Sequence, residues 1–319
     1  MAINKNLQSI IRALADNRAH DARAFAIDVL ERDTADNNRW LREHCLPRLK
    51  EINDGPIELP FQYKAFLTVE EPAKTFRESR YFLSSREADL LRHIERMREV
   101  GGKLAEMGLR YPNASIMYGE SGTGKTMFGR YVASRFELPF VYVNFSGLVD
   151  SYLGSTAKNI SKAFEYVRSE PCVFMLDEID CISENRSAGG ADGSAGKEMN
   201  RTTVTLMQEL DRLTNGHVVL AATNRLDIID RALLRRFSSK HEVKVFDSGE
   251  KCAMVIRLLD DVGVSYDADD VVSYCVRHVG AQSSCVTDAV EAIARSLQDG
   301  QPFSLCAAAD GAIKEVVAP

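Results

Sequence analysis

The run Gly119-Glu120-Ser121-Gly122-Thr123-Gly124-Lys125-Thr126 limits the folds open to this chain more than any other stretch. It is a full match to G-x-x-x-x-G-K-[ST]. It follows a short β-type run, Ser115-Ile-Met-Tyr118, and opens a helical pattern, which is the context the motif requires. The glycines let the backbone curl so that successive N–H groups converge on phosphate oxygens. The positive end of the following helix adds to that pull. A strand that feeds such a loop and then a helix needs a sheet to join and a helical layer to lie against it.

The rest of the chain supplies both. β-Type runs at Phe140-Val-Tyr-Val-Asn-Phe145, Cys172-Val-Phe-Met-Leu176, His217-Val-Val-Leu-Ala-Ala222 and Glu242-Val-Lys-Val-Phe246 alternate with amphipathic helical stretches. Strand–helix alternation of this kind argues for a parallel sheet covered on both faces. The expected fold is therefore α/β, with a five-stranded parallel sheet, and the core is placed at residues 76–247. Within it, a charged helix is expected over Arg86–Val100, ended by Gly101-Gly102. Ser187–Gly196 is small and polar and reads as a mobile surface loop.

Beyond the core the pattern is helical only, at Cys252–Leu259, Val271–Val279 and Val286–Leu297. That predicts a small helical domain over 248–300 and a tail over 301–319. Residues 1–55 also read as helical. Leu7, Ile10, Ile11 and Leu14, then Phe25, Ala26, Val29 and Leu30, then Trp40, Leu41 and Leu49 recur at helical spacing. Breaks fall at Asp16–Asp21 and Asp33–Asn38. Such a unit either braces the next domain or docks a partner, and both readings stay open. Asn53-Asp54-Gly55-Pro56 marks the start of a linker placed at 56–75.

Composition narrows the function. Apolar residues make up 45% and charged residues 27%, the profile of an ordinary globular chain with enough apolar material for a core. The formal charge of −6 leaves no electrostatic footprint for nucleic acid or an acidic membrane. No apolar run approaches the roughly 18 residues that span a bilayer, and the Met-Ala-Ile-Asn-Lys start lacks a signal-peptide core. A cytoplasmic location is expected. The seven cysteines are scattered, odd in number and free of any C-x-x-C pair, which fits reduced, structural thiols.

Three groups carry chemistry. In the glycine-rich loop, Lys125 is placed to reach the β- and γ-phosphates, and the Thr126 hydroxyl to ligate Mg²⁺. Some 50 residues on, Cys172-Val-Phe-Met-Leu-Asp177-Glu178 is a buried strand that ends in two carboxylates. Asp177 can hold Mg²⁺ through its water shell, and Glu178 can polarise an attacking water. At the end of the next strand, in Ala221-Ala-Thr223-Asn224-Arg225, the Asn224 amide can hydrogen-bond that water and the γ-phosphate.

Over roughly residues 76–298 these features resemble the AAA family of the AAA+ ATPases, which have the P-loop NTPase fold, a three-layer α/β/α sandwich with a helical lid. The resemblance identifies Gly119–Thr126 as Walker A, Asp177 and Glu178 as Walker B, and Asn224 as sensor 1. It implies ATP and Mg²⁺ as cofactors and hydrolysis at the interfaces of a ring-shaped homo-oligomer, six subunits being the family's habit. Ile229-Asp-Arg-Ala-Leu-Leu-Arg235-Arg236-Phe237 looks like the arginine-finger segment. The usual form separates its two arginines by Pro-Gly, so adjacency leaves either Arg235 or Arg236 as the primary finger. Glu120-Ser121 stands where the family commonly has Pro-Pro. Gly280-Ala-Gln-Ser283-Ser284 is a degenerate form of the lid's Gly-x-Ser turn and receives no assignment.

Tyr152-Leu153-Gly154 resembles the family's pore loop, in which an aromatic ring gives sequence-tolerant grip on an extended polypeptide. The implied function is remodelling or unfolding of a protein substrate through a central pore. A DNA or assembly loader would carry a basic inner surface, and the acidic balance and Tyr152 argue against it. A nucleotide-switched structural ring is disfavoured by Glu178 and the two arginines. The family's membrane-bound ATPase–proteases have transmembrane helices and an H-E-x-x-H site, and this sequence shows neither. No proteolysis by this chain is expected, which leaves room for a separate protease or adaptor as a partner.

Overall fold

The computed structural model describes residues 8, 10–12, 19–33, 38–51, 63, 66–109, 111–145, 156–169, 171–182, 194–213, 217–299 and 302–308. The chain divides into two compact units, Met1–Glu70 and Glu71–Pro319.

The first unit contains α1 (Ala19–Arg32), α2 (Arg39–His44), α3 (Leu46–Glu51) and a three-residue strand, β1 (Thr68–Glu70). The helices fall where the second and third apolar patterns lie. The first pattern, Leu7–Leu14, and Asn53–Pro56 fall mostly or wholly outside the described residues. Trp40, the one tryptophan of the sequence, is 62% exposed and stacks on His44 with centroids 5.0 Å apart.

The second unit holds the sheet and two apolar cores. Its strands are β2 (Asn113–Tyr118), β3 (Phe140–Asn144), β4 (Val173–Asp177), β5 (Val218–Thr223) and β6 (Ser239–Glu242). They run parallel in the order β3-β4-β5-β2-β6. In register, Tyr118 pairs with Thr223 and Asn144 with Asp177, so these strands end together at one edge. The loops after β2, β4 and β5 therefore leave side by side, the arrangement in which open parallel sheets bind ligands.

Both faces of the sheet are covered. On one side, α5 (Ser85–Glu106) and α6 (Lys125–Phe136) bury Leu90, Ile94, Phe128 and Val132 against Met117, Met175 and Leu220. On strand β4 the side chains alternate between faces. Met175 thus joins that core, while Phe174 meets Phe164 of α7 (Thr156–Ser169) edge-on at 5.0 Å. Helices α8 (Ser194–Arg212) and α9 (Arg231–Leu234) complete this part, and α4 (Pro72–Thr75) precedes it. At full burial each such side chain contributes about 1.5–3 kcal/mol. Among the described residues, no helix is long and apolar enough to cross a membrane.

Helices α10 (Ser248–Val262), α11 (Ala268–Arg277) and α12 (Gln282–Asp299) form the C-terminal lid, with its own core around Val255, Leu259, Val271 and Ala289. That core extends past residue 300, because Phe303, Leu305 and Ala308 are buried in it. The lid is tied to the sheet domain by Arg257, which donates to the Ser79 carbonyl at 2.5 Å, and by Asp261, which accepts from Ser79 and Arg80.

Three expectations are corrected. The helix expected over Arg86–Val100 continues through Gly101-Gly102 to Glu106. It stops where Gly108 adopts φ +72° and the Leu109 N–H reaches the Leu104 carbonyl at 2.8 Å, a glycine-terminated cap. The strand expected at Glu242–Phe246 is instead Ser239–Glu242, which pairs with Ser115–Tyr118 at the sheet edge. Its apolar successors are buried but not in a strand, Val243 under the sheet core and Phe246 in the lid core. Of the Ser187–Gly196 loop, Ser194, Ala195 and Gly196 already belong to α8, and residues 187–193 lie outside the described residues.

Candidate active site

Gly119 leaves β2 with φ +149°, and a Cβ there would lie 2.0 Å from the Val243 carbonyl oxygen. Only glycine fits that close approach. The loop then closes on itself, as the Thr123 hydroxyl donates to the Glu120 carbonyl at 2.8 Å. Gly122 and Gly124 hold φ of +77° and +89°, and Gly124 is the N-cap of α6. At Gly124 a Cβ would meet nothing within 4 Å among the described residues.

Lys125 is only 8% exposed. Its ammonium uses three donors inside the loop, to the carbonyls of Gly119 and Glu120 at 2.8 Å each and to Asn224 Oδ1 at 2.9 Å. Burial pushes its pKa down, and Asp177 and Asp180 oppose that shift by favouring the charged form. The Thr126 hydroxyl donates to Asp177 Oδ2 at 2.7 Å, joining the first turn of α6 to the end of β4. The second oxygen of Asp177 accepts the Glu178 N–H at 3.0 Å. Glu178 itself sits at φ +54°, the left-handed region that a side chain disfavours. Strain of this kind, of order 1–3 kcal/mol, concentrates at functional sites.

The structure thus brings Gly119–Thr126, Asp177, Glu178 and Asn224 together at the edge where β2, β4 and β5 end. It separates the two arginines. Arg236 is tied to Asp211 through two bonds of 3.3 and 3.2 Å and to the Ala232 carbonyl at 2.8 Å. Arg235 is exposed, and its side chain makes no hydrogen bond or ion pair among the described residues. Tyr152, Leu153 and Gly154 lie outside the described residues.

The residues fit a Mg²⁺-bound triphosphate. The loop pairs three positive-φ glycines with a buried cation, and among the described residues nothing lies within 4 Å of a Cβ placed at its helix end, Gly124. Beside it, one hydroxyl and one carboxylate form the sparse oxygen set of a Mg²⁺ that keeps most of its waters.

Sequence reasoning missed two contributors. Asp180, just past Glu178, is buried, and its Oδ1 has no hydrogen-bond partner among the described residues. The turn Gly280–Ser284 docks on the loop. The Ser283 N–H donates to the Gly122 carbonyl at 3.1 Å, and Gln282 Nε2 reaches the carbonyls of Lys244 at 2.9 Å and Thr123 at 3.5 Å. The loose likeness of this turn to the family's Gly-x-Ser was the signal that could have found it.

A strand, a glycine-rich loop and a helix whose Lys and Thr face an acidic strand end across a parallel sheet define a P-loop nucleoside triphosphatase domain. Residues 115–245 match the family model described as ATPase family associated with various cellular activities (AAA), and the domain they form belongs to that family. Similar proteins include the 26S proteasome regulatory subunit 10B homolog A of Arabidopsis thaliana, 35% identical over 50% of this chain and 40% of its own length. The ATP-dependent zinc metalloprotease FtsH of Mycoplasmoides gallisepticum is 37% identical over 48% of this chain and 20% of its own. The peroxisomal ATPase PEX6 of Eremothecium gossypii is 35% identical over 54% and 18%. The chain spans less than half the length of these relatives.

Proposed function

We propose that this chain hydrolyses Mg-ATP in a ring of identical subunits, six by the family's habit, and uses the energy to remodel or unfold a protein substrate drawn through the ring. The observation that carries the reading is the junction of four elements, in which Lys125 meets Asn224 and Thr126 meets Asp177. In this reading the backbone of Gly119–Gly124 and Lys125 hold the triphosphate, and Thr126 and Asp177 hold Mg²⁺. When bound, the metal supplies positive charge that offsets what builds on the phosphoryl oxygens. Glu178 takes a proton from the attacking water, and Asn224 orients it. Arg235, whose side chain has no partner among the described residues, reaches the neighbouring subunit's site as the finger, while Arg236 braces the segment. Tyr152, Leu153 and Gly154 grip the polypeptide.

The proteasome and protease names among the relatives agree with work on proteins. None of the seven cysteines is joined in a disulfide, which suits a reducing compartment such as the cytoplasm. The test is the specific ATPase rate against protein concentration, with and without an unfolded protein, for wild type and Tyr152→Ala. A cooperative rise, and stimulation by substrate that Tyr152→Ala loses, is expected. A rate per subunit independent of concentration, indifferent to substrate and to Tyr152, would contradict the ring and the threading and favour a loader or switch.

A further inference from the structure

The lid helices converge on His278, which follows α11 and faces α12. Lys251 of α10 donates to its carbonyl at 3.0 Å. Tyr274 of α11 lies with its ring 5.2 Å from the imidazole and donates its hydroxyl to Asp288. From α12, Asp288 Oδ2 is 3.8 Å from His278 Nε2, Cys285 Sγ is 3.3 Å from Nδ1, and Ser284 Oγ is 3.0 Å from Nε2. Gly280 is wedged between the His278 ring and Ser284. A Cβ on it would lie 2.5 Å from His278 Cε1 and 2.6 Å from Ser284 Oγ.

The proton count fixes the direction of these bonds. A serine hydroxyl has one proton, and that of Ser284 goes to the Ala281 carbonyl at 2.8 Å. Nε2 must then donate to Ser284, which leaves Nδ1 as the acceptor for the Cys285 thiol. With the ring neutral, each of these bonds carries one proton. A second ring proton would turn Nδ1 into a charged donor that faces the sulfur of Cys285, a weak acceptor and fully buried.

The same turn is the part of the lid that docks on the glycine-rich loop, through the Ser283 N–H to the Gly122 carbonyl and Gln282 to Thr123. We infer that His278 is a positioning residue whose neutral ring closes the turn 280–284 on the loop 119–124, so that protonation of the ring loosens the lid's grip. The consequence for nucleotide affinity rests on the proposed function of the loop, whereas the docking itself does not.

The facing charges set the sign. Burial is the largest influence on the ring and Lys251 the next, both disfavouring its charge, while Asp288 favours it, and the imidazole is held below its ordinary 6.5. The docked turn therefore binds fewer protons than the released one. Docking is at full strength above about pH 6.5 and is lost as the pH falls below it.

The test is hydrogen exchange of the Ser283 amide in the nucleotide-free chain from about pH 7.5 to about pH 5.5, corrected for intrinsic rates, beside the affinity for a fluorescent ATP analogue over the same range. Wild type should lose up to about tenfold in protection and in affinity per pH unit on the acid side. In His278→Gln, which does not titrate, both should become flat. Cys285→Ser gives Nδ1 a stronger acceptor and should shrink the response, which keeps the inference decidable where His278→Gln does not fold. Protection that ignores pH in wild type, or falls equally in Cys285→Ser or a folded His278→Gln, would overturn it. Failure of the nucleotide reading looks different: no analogue binding at any pH, with the exchange response intact.

Discussion

The two adjacent arginines should separate cleanly on substitution. Arg236 holds Asp211 through two bonds and the Ala232 carbonyl through a third, with its side chain 31% exposed and that of Asp211 55% exposed. A half-exposed ion pair is worth about 0.2–1 kcal/mol and the backbone bond about 1 kcal/mol. Arg236→Ala should therefore cost about 1–2 kcal/mol, seen as a fall of several degrees in Tm. Arg235 has no such partner among the described residues, so Arg235→Ala should change stability by less than about 0.5 kcal/mol. Its effect belongs to turnover, where a finger supplied in trans is worth about 10³–10⁵. Thermal denaturation and ATPase rates on both variants test the first half. Mixing Arg235→Ala with Lys125→Ala subunits tests the second, because each supplies what the other's interface lacks. Recovered turnover in the mixture is expected. Wild-type turnover by Arg235→Ala alone, or a mixture that stays inactive while subunits exchange, would refute the reasoning.

Two further outcomes follow from the geometry. Gly119→Ala puts a Cβ 2.0 Å from the Val243 carbonyl at φ +149°, and should cost roughly 2–5 kcal/mol by overpacking and backbone strain. A denaturant midpoint equal to wild type would show that the loop gives way freely. His217, His241 and His278 are all held below 6.5 by burial, so the folded chain binds fewer protons than the unfolded one. Stability is complete above about pH 6.5 and should decline as the pH falls below it, and urea titrations that stay flat down to about pH 5.5 would contradict this. Glu87, held above its ordinary 4.5 by burial, acts in the opposite sense nearer that value.

Much of the site was legible because its chemistry is local in sequence. Lys125 and Thr126 are fixed by the loop that precedes them, and Asp177 by the end of a buried strand. Register in the parallel sheet then brings Asn224 to Lys125 with no further information. What failed was read from single residues whose role is set by distant partners. Gly101-Gly102 resembles a helix stop, yet the helix is held in place by Leu90, Leu91 and Ile94 on the sheet and runs on to Glu106. Val243 and Phe246 look like strand residues, but each is buried in a different core, and the edge strand before them is the polar run Ser239–Glu242. The lid turn was passed over because its contacts, a backbone N–H and an amide reaching loop carbonyls, leave little trace in side-chain type.

If the loop 119–126 binds ATP and Glu178 acts in its hydrolysis, binding and turnover should part on substitution of Glu178. The direct measurement is equilibrium binding of ATP together with single-turnover hydrolysis, for wild type and Glu178→Gln. Unchanged affinity is expected, with turnover reduced by about 10²–10⁴, the size of a lost general base. Hydrolysis at the wild-type rate in Glu178→Gln, or no ATP binding in either protein, would contradict it.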